Sequence, residues 1–260
     1  MVKFFTTPPK PYPYILINAR NPDFSFLHSA LEVIIDSGIE MFRNPNVKDY
    51  PKDWEKRLVN LYYRVKTQTK GMVWLVVPDY PDDYHPRNLW ISESYTNIER
   101  TLDNVLYYTA KYPSINWLIP IQGHNKKPDS VIRSIMLYKE HGILDRYDYF
   151  AVANLCVEPD TEIIHQTVKI AKNKLPDKKL HVFGLKLSAL RKIYHMIDSF
   201  DSTAWTRPVN NRVVNYGKRY SAKNKQERVR FFEEWLRRLE AITRQNTSID
   251  QYLGPGNTYV

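Results

Sequence analysis

Short apolar runs that alternate with longer amphipathic stretches are the feature that most restricts the fold of this chain. The apolar runs occupy residues 15–18, 33–35, 72–77, 117–121, 149–152 and 180–183. Each has the length and composition of a parallel strand that is covered on both faces. Apolar residues recur at helical spacing in residues 54–67, 98–111, 130–141, 161–174 and 188–196. The alternation predicts repeated βα units.

A closed barrel accounts for these units better than an open sheet does. No Gly-x-Gly-x-x-Gly fingerprint follows the first apolar run, as it would in a dinucleotide-binding sheet. The length of 260 residues is typical of one TIM barrel. We therefore predict the α/β class, with residues 1–260 forming a single (β/α)8 TIM-type barrel, either regular or irregular.

The two ends of the chain differ from this repeat. Residues 1–13 contain Pro8, Pro9, Pro11 and Pro13, so we expect an extended N-terminal strap rather than a helix. Residues 206–260 form a basic C-terminal region, in which residues 226–242 are predicted to be helical. The apolar stripe of that helix is predicted to face the core. It consists of Val229, Phe232, Leu236 and Leu239.

The charge of the chain bears on its partners. Lys and Arg number 38 against 28 Asp and Glu, a formal net charge of +10. Such an excess favours a polyanion such as nucleic acid, because phosphate contacts release counterions. General basicity without a nucleic-acid partner is the alternative.

Composition also restricts location and cofactors. No apolar run reaches the roughly 18 residues that span a bilayer, so we expect no membrane partner and a cytoplasmic protein. Cys156 is the only cysteine, which excludes an intrachain disulfide and a zinc site built from several thiolates. The seven histidines lack metal-site spacing. We therefore expect neither a metal nor another cofactor.

Polar residues follow, directly or after one residue, four of these apolar runs and the further short run Ser199-Phe200. They are Asp36 with Ser37 and Gly38, Asp79, Gln122 with Gly123, Asn154 with Leu155, and Asp201 after Ser199-Phe200. Each alone is explained by a helix cap or a turn. In a TIM barrel, however, all of them would meet at the carboxyl ends of the strands, where active sites of this fold lie. Asp82 and Asp83 are interpreted as solvated loop charges, or as residues that support the site from behind its lining side chains.

Six segments, in this order, resemble motifs of the tRNA-guanine transglycosylases and their DNA-modifying relatives. They read IIDSG, VVPDY, PIQGH, VANLCV, HVFGLK and SFDSTAWTRP, and together they sample residues from about 32 to 208. The resemblance implies that Asp201 is a nucleophile that attacks the sugar C1′ and expels the base. It also implies that Asp36 is the general acid and base. Double displacement requires one carboxylate in each role.

The same resemblance implies a pocket that reads guanine. Asp79 would accept from the ring N–H and the exocyclic amine, and Gln122, next to Gly123, would donate to the carbonyl. From the residues alone, Gln122 is equally explained as an amide that braces a loop. Asn154 and Leu155 correspond to residues that read the base through their backbone. Gly184 would allow close approach to a ligand, or simply end a strand.

Departures from the family bear on the polymer that is modified. One cysteine cannot supply the zinc subdomain of the tRNA enzymes. Ser202 stands where the family has Cys, and Asn154 stands where it has Gly. We therefore favour DNA over tRNA as the polymer, with a 7-deazaguanine such as preQ0 as the incoming base and an accessory protein as a possible partner.

With either polymer, the target nucleotide would have to be flipped out of its stack. Unstacking it costs a few kcal/mol. Phosphate contacts from the basic C-terminal region could offset that cost. The candidates are Arg207, Arg212, Lys218 and Arg219. Trp205 and Tyr216 could stack on bases, although Trp205 is equally explained as a core residue.

Three alternatives remain open from the sequence. An N-glycosidase would let water resolve the intermediate. A nucleic-acid-binding protein would keep the barrel without turnover. A metabolic barrel that binds phosphate is less favoured, because the late loops hold only Gly217 where such sites use several glycines.

Overall fold

Eight parallel strands form one sheet in the computed structural model, which describes residues 2–85, 87–206 and 225–252, with side chains described as far as residue 244. The sheet order is β1-β8-β7-β6-β5-β4-β3-β2. The strands are β1 (Lys3–Phe5), β2 (Tyr14–Asn18), β3 (Glu32–Asp36), β4 (Met72–Val76), β5 (Trp117–Ile121), β6 (Tyr149–Val152), β7 (Lys179–Val182) and β8 (Ser199–Asp201).

The sheet curves until its first two strands meet. Thr6, just after β1, forms a parallel bridge with Ile15 of β2. The carbonyl oxygen of Thr6 accepts from the amide of Leu16 at 2.7 Å. The prediction of a (β/α)8 TIM-type barrel is thereby confirmed.

Helices cover the outside of most of the sheet. They are α1 (Trp54–Gln68), α2 (Asn97–Lys111), α3 (Val131–Glu140), α4 (Ile143–Arg146), α5 (Thr161–Lys174), α6 (Leu187–Ile193) and α7 (Lys225–Tyr252). Thr96 and Glu99 begin α2 with a reciprocal capping box, which satisfies amides that have no partner within the helix. Between β1 and β3, residues 6–31 contain a single 3-10 turn, Leu27–Ser29, and no α-helix. The barrel is therefore irregular at its start.

The N-terminal strap prediction is wrong in one respect, because the segment supplies a strand of the barrel. β1 pairs in parallel with β8, and Phe5 lies opposite Asp201. Phe4 and Phe5 are both buried. A strand of three residues before a proline-rich turn is too short to show period-two patterning, so the sequence did not reveal it.

Alternation along the strands separates the two layers of the core. Inward side chains pack inside the barrel, and the residues between them pack against the helices. The inner layer consists of Phe5, Leu16, Ile34, Val76, Leu118, Tyr149 and Ala151.

Helix α7 occupies the position that follows β8 in a regular barrel. Phe232 is fully buried, and its ring lies 5.1 Å from those of Tyr12 and Trp205. The predicted core stripe is confirmed at Phe232 and Leu239, which are buried, and at Leu236, which is partly buried. Trp205 is a core residue as well, and its indole N–H donates to the Thr6 hydroxyl at 2.7 Å.

No helix within the described ranges is both long enough and apolar enough to cross a bilayer.

Candidate active site

A cavity of about 220 Å³ opens at the carboxyl ends of the strands. Three of its lining residues are the aspartates that end or follow separate strands: Asp36, Asp79 and Asp201. Glu40 adds a fourth carboxylate, and the lining also contains the cationic side chains of Arg43 and Lys186. The cavity is smaller than the roughly 300–1,000 Å³ of a drug-sized site. Its size is therefore better matched to a single small ring system.

Asp36 ends β3 and is fixed by the turn that follows it. Its Oδ1 accepts from the amide of Gly38 at 2.6 Å. Gly38 has a φ of +89°, and an added Cβ would lie 2.6 Å from the indole ring of Trp54. Glycine is therefore required in this Asp-Ser-Gly turn both by backbone conformation and by space.

The electrostatic surroundings of Asp36 favour its protonated form. Burial raises the pKa of Asp36 well above its ordinary value, and the neighbouring Glu40 raises it further, while the Gly38 amide opposes the shift. The charges of Asp201 and Asp79 contribute smaller upward effects. A carboxyl group that holds its proton more tightly than usual is suited to general acid catalysis.

Asp79, which follows β4, is held from two sides. The Ser37 hydroxyl donates to its Oδ1 at 2.9 Å, and the Gln122 amide group donates to its Oδ2. Burial raises the pKa of Asp79 to about 6 despite both donors. Asp79 is therefore largely ionised at neutral pH and can accept further hydrogen bonds.

Asp201 ends β8 and is held through one of its oxygens. Its Oδ1 accepts from the amide of Gly184 and from Nε2 of His181, each at 3.1 Å. Within residues 2–85, 87–206 and 225–252, no hydrogen bond engages its Oδ2. One oxygen of Asp201 is therefore left for a ligand. Sequence reasoning treated His181 only as part of a turn motif and missed this contact.

The structure brings together some of the predicted site residues and separates others. Asp36, Asp79, Gly184 and Asp201 line the cavity. Gln122 is fully buried beside Asp79, so its amide group holds that carboxylate in this arrangement. The remaining three predicted base-binding residues line a separate small crevice. They are Gly123, Asn154 and Leu155.

The turn positions have local explanations. Asn154 has a φ of +63°, a left-handed conformation that Asn tolerates better than most side chains. Gly184 also has a φ of +63°, and an added Cβ would lie 2.8 Å from Cα of Cys156. The close approach at Gly184 is therefore to protein backbone.

The interpretation of Asp82 and Asp83 as solvated charges is wrong. Both are buried, with relative exposures of 1% and 7%. Asp82 accepts from the Trp90 indole and the Asn97 amide, at 2.8 and 2.7 Å. Asp83 accepts from the amide of Cys156 at 3.0 Å. The two carboxylates therefore organise the loop after β4 beside the cavity.

The predicted phosphate contacts at Arg207, Arg212, Lys218 and Arg219 lie outside the described residues, as does Tyr216. Arg43 and Lys186 are cationic lining residues that sequence reasoning missed. Their signal was weak, because neither follows a strand directly.

Fold and site together define the class of this protein: a (β/α)8 barrel with an acidic cavity where enzymes of this fold carry out their chemistry. Within the described residues, no group of three or more His, Cys, Asp or Glu side chains is arranged to hold a metal ion. Comparisons with protein-family models and with curated proteins found no match.

Proposed function

We propose that this protein is a guanine transglycosylase that replaces guanine in a nucleic acid, with DNA favoured over tRNA, by a 7-deazaguanine such as preQ0. The observation that carries the proposal is the convergence of Asp36 and Asp201 on one cavity with Asp79 in its wall. These are the positions at which the family resemblance expects the acid and base, the nucleophile and the base reader.

The proposed reaction is a double displacement. Oδ2 of Asp201 attacks C1′ of the target nucleoside, and the bond from C1′ to the base breaks with its electron pair leaving on the base. Asp36 gives its proton to the departing guanine. The incoming base then loses a proton to the Asp36 carboxylate and attacks C1′. The bond from C1′ to Asp201 breaks, and its electron pair returns to the carboxylate.

The difference between the two carboxyl groups supports these roles. Burial and Glu40 raise the pKa of Asp36, so it can begin the reaction protonated. Asp201 has two donors on one oxygen and a second oxygen available to a substrate. Different surroundings for two carboxyl groups are the usual basis for assigning acid and nucleophile.

Asp79 is the proposed base reader. Guanine presents a ring N–H and an exocyclic amine on one edge, and an ionised carboxylate accepts from both. Ser37 and Gln122 would keep Asp79 oriented for this contact. A base without these donors would forgo both hydrogen bonds to the charged acceptor, each worth about 1.5–3 kcal/mol.

The charge distribution supports a nucleobase within a polyanion. Four carboxyl groups line the cavity, and those that are ionised would repel a phosphate inside it. Arg43 and Lys186 lie on the same lining and could contact phosphates beside the flipped nucleoside.

The test is incorporation of radiolabelled preQ0 or guanine into duplex DNA, single-stranded DNA and tRNA. The unsubstituted protein should label one polymer, and Asp201→Asn should abolish labelling without abolishing salt-sensitive binding. Asp198→Asn is the matched control, because Asp198 lies just before the same strand and lines a different cavity at the opposite end of the barrel. This control should label normally.

Other outcomes would replace the proposal. Abasic sites without incorporation would indicate an N-glycosidase. Tight, salt-sensitive binding without incorporation or base loss would indicate a binding protein. Equal labelling by the unsubstituted protein and Asp201→Asn would refute the assigned nucleophile.

A further inference from the structure

A chain of buried polar side chains runs through the barrel interior to Asp201. The Tyr149 hydroxyl lies 2.5 Å from Oγ of Ser199, which lies 2.8 Å from Nδ1 of His181. Nε2 of His181 lies 3.1 Å from Oδ1 of Asp201. His181 and Ser199 are fully buried, and Tyr149 is 5% exposed. Buried polar groups of this kind require partners.

Strand register explains why these side chains meet. His181 of β7 lies opposite Ser199 of β8 and opposite Ala151 of β6. Asp201 is two residues beyond Ser199, and residues two apart on a strand point to the same face. Ala151 lies in the inner layer of the core, and His181 therefore points into the barrel with it.

The contacts determine the direction of the hydrogen bonds. A carboxylate oxygen only accepts, so His181 must carry a proton on Nε2. If Nδ1 accepts, the Ser199 hydroxyl donates to it and the Tyr149 hydroxyl donates to Ser199. The hydroxyl protons of Tyr149 and Ser199 and the Nε2 proton of His181 then each have an acceptor. With a proton on Nδ1, the Ser199 oxygen would accept from His181, and either the Ser199 proton or the Tyr149 proton would have no acceptor among the described residues.

Aromatic rings hold the imidazole in place. Phe183, Phe5 and Tyr149 have ring centroids 5.0, 5.9 and 6.4 Å from that of His181, all in edge-to-face orientation. Rotation of the imidazole would require these neighbours to move, because the barrel interior is closely packed. The donor to Asp201 is therefore held by packing as well as by hydrogen bonding.

We propose that His181 is a positioning residue, held as the neutral Nε2–H tautomer by Ser199 and Tyr149, that fixes Asp201 with its Oδ2 available to the sugar. The inference rests on the proposed function for the identity of the reaction. His181 does not touch the substrate and exchanges no proton with it. Its effect on the reaction is orientation, for which a misplacement of about 1 Å can cost roughly 100-fold in rate.

The first measurement does not depend on turnover. Protein labelled with ¹⁵N in its histidine rings gives nitrogen shifts that distinguish the two neutral tautomers and the imidazolium, and His181→Gln identifies the His181 signals by their loss. The expected pattern is a protonated Nε2 and an unprotonated Nδ1. A proton on Nδ1, alone or together with Nε2, would overturn the proposal.

Exchange kinetics provide the second measurement. His181→Leu removes the donor and should lower kcat about 100-fold with little change in KM. In His181→Gln an amide N–H can reach Asp201, so kcat should return to within about tenfold of the unsubstituted value. Thr109→Val is the control, because it removes another buried side-chain hydrogen bond, from Thr109 to the Val105 carbonyl in α2. It should lower the melting temperature and leave kcat unchanged.

The outcomes separate this proposal from the proposed function. Equal losses of kcat in His181→Gln and His181→Leu, or unchanged kcat in both, would overturn the positioning role. Incorporation of label by the unsubstituted protein would still support the proposed function in that case. If the unsubstituted protein labels no polymer, the function fails, and the ring-nitrogen pattern still decides whether His181 donates to Asp201.

Discussion

Replacement of Asp83 by asparagine tests the electrostatics of the loop beside the cavity. Burial is the main cause that raises the pKa of Asp83, from 3.8 to about 7, and the charges of Asp79 and Asp82 add to it. Its Oδ2 accepts from the Cys156 amide, a bond that the asparagine oxygen can keep. Asp83→Asn therefore removes the ionisation and preserves the shape.

The sign follows from proton binding in the two states. Below pH 4 the carboxyl is protonated in both the folded and the unfolded chain. Between pH 4 and 7 the unfolded chain loses the proton while the folded chain keeps it, so the free energy of unfolding falls as the pH rises. A shift of about 3 pH units corresponds to about 4 kcal/mol, fully lost above pH 7.

The assay is urea unfolding of both proteins at pH 4, 6 and 8. The stability difference, variant minus unsubstituted protein, should rise by about 4 kcal/mol from pH 4 to pH 8. Any constant cost of the new amide cancels in that comparison. Asp177→Asn is the control, because Asp177 is exposed and its replacement should give no such rise. A rise below about 1 kcal/mol for Asp83→Asn would refute the reasoning.

Three further substitutions test the site and the core. Glu40→Gln removes a charge that raises the pKa of Asp36. In a plot of the rate of the proposed base exchange against pH, the decline at high pH should therefore begin at a lower pH. A decline at an unchanged pH would contradict this. Gly184→Ala strains a left-handed backbone and brings a Cβ within 2.8 Å of Cys156, so thermal melting should show a loss of at least about 1–2 kcal/mol. An unchanged melting temperature would argue against that strain. Phe232→Ala empties a fully buried site and should cost about 3–5 kcal/mol in urea unfolding, whereas a loss below about 1 kcal/mol would mean that α7 does not pack as described.

The sequence by itself determined the architecture and the general location of the site. Apolar runs and amphipathic stretches alternate because buried parallel strands and surface helices need those patterns. Asp36, Asp79 and Asp201 could be assigned to one end of the barrel, because the carboxyl ends of parallel strands lie together. Those inferences depend on local patterns and on a rule of topology, which a single chain contains.

Tertiary structure alone decided how the barrel closes and which side chains meet. The three residues of β1 carry no periodic signal, and their pairing with β8 depends on strands almost 200 residues apart in sequence. The contacts of His181 with Asp201 and of Gln122 with Asp79 depend on the register of neighbouring strands. Register is set by packing over the whole sheet, and a shift of one residue would turn each of these side chains to the opposite face.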